Sequence, residues 1–108
     1  MAKSDMLQGS LDLLVLKILS RRAPLHGYAI MTAVQKISGE VLHVEEGSLY
    51  PALHRMEEAG FIRATWITKD NGRARVYELT ARGRKQLVSE EARWTAVMGA
   101  VQRVLRLA

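Results

Sequence analysis

Apolar residues recur at helical spacing through most of the chain and at alternate positions through one short part of it. Leu11, Leu14, Val15, Ile18 and Leu19 form the first stripe, with Ser10 near its start, and predict a helix from about Gln8 to Ser20. The polar break at 21–24 closes with a proline. Ile30, Ala33, Val34 and Ile37 predict a second helix from about His26 to Ser38, stopped by Gly39. Residues 40–46 form a short connection with room for a brief extended segment. Leu49, Leu53 and Met56 fall at i, i+4 and i+7 and predict a third helix, Gly47 to Ala59, with Gly60 as its stop. Pro51 lacks an amide hydrogen and is cheap only in a first turn, which places it and Tyr50 at the entrance of that helix.

The pattern then changes. Residues 61–68 are β-branched and aromatic, residues 69–74 contain Asn-Gly, and residues 75–79 return with Tyr77 and Leu79 on one face, which reads as a hairpin. Thr80 caps a last helix that carries Gly83 inside it at some cost. Leu87, Trp94, Met98, Val101 and Leu105 make a near-heptad seam along it, interrupted at Glu91, with Val88, Val97 and Val104 as a second stripe. Three helices followed by a two-stranded wing and a long C-terminal dimerisation helix describe a mostly α, α+β winged helix-turn-helix. The division falls between a DNA-binding part, 1–79, and a pairing helix, 80–108.

Composition narrows the picture. A chain of 108 residues supports one modest core, and the absence of cysteine excludes disulfides and thiolate chemistry while suiting a reducing cytoplasm. Asp12 and Lys17 interrupt the apolar run at 11–20, so it reads as an amphipathic core helix, not a signal peptide. No run approaches the roughly 18 apolar residues that suggest a membrane span. Charge is unevenly placed: residues 60–86 hold Arg63, Lys69, Arg73, Arg75, Arg82, Arg84 and Lys85 against Asp70 and Glu78, and so contain the whole net excess of +5. A solvated basic face or a polyanion footprint both fit that placement.

Placement on elements favours the second. With the third helix burying its apolar stripe, Ser48, Tyr50, Pro51, His54 and Arg55 point outward, beside free N–H groups suited to phosphate. Arg55 and His54 are expected to reach base edges, and Ser48 and Tyr50 to contact phosphates, with Tyr28 near the second helix's start joining them. The wing offers Lys69, Asn71, Arg73 and Arg75. Each has an ordinary alternative: Tyr50 packing over Pro51, solvated His54 and Arg55, a turn basic for solubility. Jointly they favour double-stranded DNA. A winged-helix module that binds protein without DNA is the competing class.

Catalysis has no footing. His26, His43 and His54 lie in different elements without ligand-like spacing, and His26 reads as a helix cap. Glu57 and Glu58 are splayed neighbours, and there is neither a nucleophile elbow nor a phosphate loop. No cofactor or metal is expected.

Three segments, HGY at 26–28, GSLYPALHRME at 47–57 and YELTARG at 77–83, resemble the PadR family of regulators in order and spacing. The resemblance covers nearly the whole chain. It implies a dimeric transcription factor, usually a repressor, often responsive to small and frequently aromatic compounds. It also implies operator contacts by the Ser48 and Tyr50 region and the wing. Val76 departs from it, since members often carry a second aromatic beside the tyrosine.

The final helix, about 27 residues at ~1.5 Å each, overhangs a body only about 30 Å across, so a second copy must cover its seam. Met6, Leu7, Leu11, Leu87, Trp94, Met98, Val101 and Leu105 are the expected dimer contacts, with reading helices about 34 Å apart and an inverted-repeat operator. Trp94 either packs the dimer core or, with Met98 beside it, stacks an aromatic effector against its own copy across the dyad.

Overall fold

The computed structural model describes residues 2–108, and side chains from residue 10 onward. Four helices and a small sheet follow in the order α1 (Ala2–Arg22), β1 (Leu25–His26), α2 (Gly27–Ile37), α3 (Glu46–Glu58), β2 (Ile62–Lys69), β3 (Gly72–Leu79) and α4 (Ala81–Leu105). The sheet is antiparallel with the order β1-β3-β2, so the mostly α winged-helix expectation holds with one strand added. That strand pairs Leu25 with Tyr77 and His26 with Val76. No strand forms at 40–46. The extended piece lies before α2 instead, where β3 offers it a free edge.

The predicted caps hold. His26 Nδ1 accepts the Ala29 N–H at 3.2 Å, and Thr80 Oγ1 accepts the Gly83 N–H at 3.0 Å. Gly39 and Gly60 take left-handed φ values of +66° and +82° where α2 and α3 stop. Pro51 lies deeper than expected. It is the sixth residue of α3, so its missing N–H leaves the Gly47 carbonyl without an intrahelical donor. The hairpin reverses one residue early, through Asp70 and Asn71, and Gly72 takes a φ of +122°.

Leu11, Val15, Leu16 and Leu19 from α1, Ile30 from α2, and Leu49 and Leu53 from α3 are the most deeply buried side chains, joined by Ile62, Tyr77, Leu79 and Leu87. Their full burial, at roughly 1.5–3 kcal/mol each, is the main force fixing α3 against α1. Val76, the departure from the family pattern, is buried opposite Thr65 and His26, so the smaller side chain leaves the wing base packed. Burial also corrects the dimer expectation. Leu11 and Leu87 belong to this chain's own core and have almost no surface left for a partner. The side chains of Met6 and Leu7 lie outside the described residues.

Candidate nucleic-acid interface

Gly27 and Tyr50 join the first two sequence motifs. The α3 ring of Tyr50 lies against the first residue of α2, so closely that a Cβ on Gly27 would stand 2.7 Å from the phenol oxygen. Tyr50 therefore packs on Gly27, with 43% of its surface exposed. Its hydroxyl is thereby held beside the first residue of α2, near the positive end of that helix's dipole. Tyr28 is more exposed, and its carbonyl accepts the Thr32 hydroxyl at 3.0 Å.

Outward on α3 lie Gly47, Tyr50, Pro51, His54 and Glu58, while Leu49, Ala52, Leu53 and Met56 face the core. His54 is exposed and its Nε2 stands 3.4 Å from Glu58 one turn on. Two expected contacts point elsewhere. Ser48 is half-buried and lines a small cavity with Leu11, His43, Val44 and Glu45. Arg55 reaches across to α1, where its guanidinium donates to Asp12 Oδ1 at 2.8 Å. To touch a base it must leave that pair. Burial pushes the Asp12 carboxyl above its ordinary range, although Arg55 pulls the other way.

The wing is built around an aromatic that sequence reading treated only as a strand former. Trp66 lies opposite Arg75 on β2, half exposed, with the Arg73 guanidinium 4.6 Å and that of Arg75 5.7 Å from its ring centroid. A tryptophan stranded near a hairpin tip beside alternating arginines was the available signal. Arg75 also donates to both Glu57 oxygens, at 3.2 and 2.9 Å, and so fastens the wing to α3. Its side chain is thereby committed within the molecule. Lys69, Asn71 and Arg73 remain exposed at the tip, and none of the three has an ion pair among the described residues.

Thr80 ties the wing to α4. Its hydroxyl donates to the Gly60 carbonyl at 2.6 Å and its N–H to the Phe61 carbonyl at 3.1 Å. Gly83 is required there, since a Cβ would meet the Phe61 oxygen at 1.9 Å.

The family model for the transcriptional regulator PadR-like family matches residues 15–89, which span α2, α3, the wing and the Thr80–Gly83 cap. The chain belongs to the PadR-like family. A PadR-like transcriptional regulator from Bacillus cereus is 30% identical, with 96% of this chain and 99% of that one covered at a TM-score of 0.80. A PadR family regulator from Eggerthella lenta is 27% identical, with 99% and 92% covered at 0.82. An uncharacterized 37.1 kDa protein in a transposon of Streptomyces fradiae is 40% identical over 78 residues, and this PadR-like chain spans only 21% of its length. PadR-like proteins are transcriptional regulators, and the wing, the Tyr50–Gly27 contact and the Thr80–Gly83 cap all lie within the matched segment.

Along α4, Trp94 is half-buried against the core, whereas Val97, Met98, Val101, Val104 and Leu105 are exposed. Among the described residues, no helix is long and apolar enough to cross a membrane.

Proposed function

We propose that this chain is a sequence-specific DNA-binding regulator: a cytoplasmic homodimer that represses transcription and is released by a small aromatic ligand. The observation that carries DNA binding is the joined surface of α2, α3 and the wing. Tyr50 is braced on Gly27, His54 lies one turn on, and Arg73 stands over Trp66 at a wing bolted to α3 by Arg75 and Glu57. Residues 1–79 do the reading: α3 enters the major groove and Lys69, Asn71 and Arg73 meet the neighbouring backbone. Tyr28 and Pro51 flank the groove entry. Arg55 joins only by exchanging Asp12 for a base edge.

Residues 80–108 pair two copies through Trp94, Met98, Val101 and Leu105. Burying several such side chains on each copy, at roughly 1.5–3 kcal/mol apiece, outweighs association costs. A flat effector stacks at Trp94 and Met98 near the dyad and shifts the reading heads from the spacing of successive grooves.

Binding to random duplex DNA at rising salt is the direct test. Several phosphate contacts give a log–log slope of about −0.9 per phosphate, whereas a protein-binding module shows no such slope. Arg73→Ala lowers affinity for all sequences alike and reduces the slope by about 1. Sites selected from randomised DNA are expected to be inverted repeats; asymmetric sites contradict the dimer. Trp94→Ala, in a protein that remains dimeric, is expected to abolish binding of aromatic compounds.

A further inference from the structure

On the α1–α2 side of the chain lies a cavity of about 380 Å³ to which none of the proposed DNA or dimer contacts belongs. Its floor is apolar: Leu14 and Ile18 from α1, Val34 and Ile37 from α2, and Leu42 from the turn that follows. Ser38 Oγ accepts the Leu42 N–H at 2.9 Å and holds that turn over the opening. The rim is cationic, with Lys17, Arg21 and Arg22, and among the described residues no carboxylate lines it. Lys17 is engaged by Glu91 at 3.4 Å, whereas Arg21 and Arg22 are exposed and have no ion pair among the described residues. Basic residues in a last helical turn are ordinary compensation for the dipole. An apolar cavity directly beneath them is not.

Two occupants fit an apolar floor, and charge separates them. The exposed apolar residues at the end of a second copy's α4 come with Arg103 and Arg106, and residues 92–108 hold no acidic side chain. Seating that segment here would set like charges against Arg21 and Arg22, which disfavours it. A small molecule with an apolar body and one negative head satisfies both parts of the site. The volume is at the lower end of the roughly 300–1,000 Å³ of small-molecule pockets, sized for one such molecule.

We infer that the α1–α2 cavity is a binding site for a small amphiphilic anion, its carboxylate-type head held by Arg21 and Arg22 and its apolar body against Ile18, Val34, Ile37 and Leu42. Trp94 is not among the residues that line the site, and the site does not depend on how the protein reads DNA. Any effect of the ligand on operator affinity, transmitted through the connection from Ser38 to α3, does rest on that reading.

Monomeric decanoate is the probe, titrated into the full chain with methyl chemical shifts and calorimetry as readouts. Saturable binding at one per chain is expected, with shifts centred on Ile18, Val34, Ile37 and Leu42. Charge-assisted contacts to the head make decan-1-ol bind about tenfold more weakly than decanoate, and Arg21→Glu with Arg22→Glu weakens decanoate by at least about tenfold. Ile37→Asp, at a position already 61% exposed and so tolerated by the fold, is expected to abolish binding. Three results overturn the site: no saturation, shifts centred on Trp94 and Met98, or decanoate affinity indifferent to the charge reversal. A fourth is Ile37→Asp weakening the dimer while leaving decanoate binding intact, which assigns the groove to the second copy.

Discussion

Two glycines whose close neighbours leave no room for an added Cβ carry different duties. At Gly83 the obstacle is the Phe61 backbone oxygen, which has no way to yield, so Gly83→Ala should lower stability by about 1–3 kcal/mol or more in urea unfolding. At Gly27 the obstacle is the Tyr50 ring, which can swing aside. Gly27→Ala should therefore cost less stability than Gly83→Ala while lowering DNA affinity, measured by anisotropy on a single duplex. Asp12 supplies a pH prediction. Its folded pKa is raised by burial, so its stabilising contribution is complete at low pH and is lost as pH rises through that elevated value. Asp12→Asn should remove this loss, flattening the stability profile as pH rises above the ordinary aspartate range, relative to the parent protein.

At the scale of elements, Glu57 and Arg75 hold the hairpin to α3. A partly exposed pair contributes at most about 1 kcal/mol to stability, so Glu57→Gln should unfold almost like the parent. Amide exchange in β2 and β3 should nevertheless quicken, since the wing loses its brace. Local chemistry was the part of this architecture that sequence could reveal. His26, Thr80, Gly39 and Gly60 act on backbone within a few residues of themselves, and their roles were readable from neighbours alone. The strand Leu25–His26 was not, because two residues become a strand only when β3 lies alongside. Arg55 and Ser48 were misdirected for the same reason: the α3 stripe tells which side is apolar, but not that α1 offers Asp12 at the margin. Trp66 passed as a strand former because its place directly opposite Arg75 is fixed only by the hairpin register.

The whole molecule measures 59 × 28 × 26 Å, an elongation produced by the long helices rather than by the body around the sheet. Val104 and Leu105 are 70% and 78% exposed, on the face that the proposed pairing covers. Val101→Asp with Leu105→Asp should raise the dimer dissociation constant by at least about tenfold, read by sedimentation velocity, with the monomer's melting behaviour little changed. The seat formed by Gly60, Phe61, Thr80 and Gly83 has a mechanical corollary. A helix anchored to the hairpin base at its first turn behaves as a lever whose fulcrum lies beside the wing. For 25 residues, about 38 Å long, a 5° tilt corresponds to roughly 3 Å of travel at the far tip. Any small rearrangement between the distal tips is thus geared directly into the attitude of the hairpin.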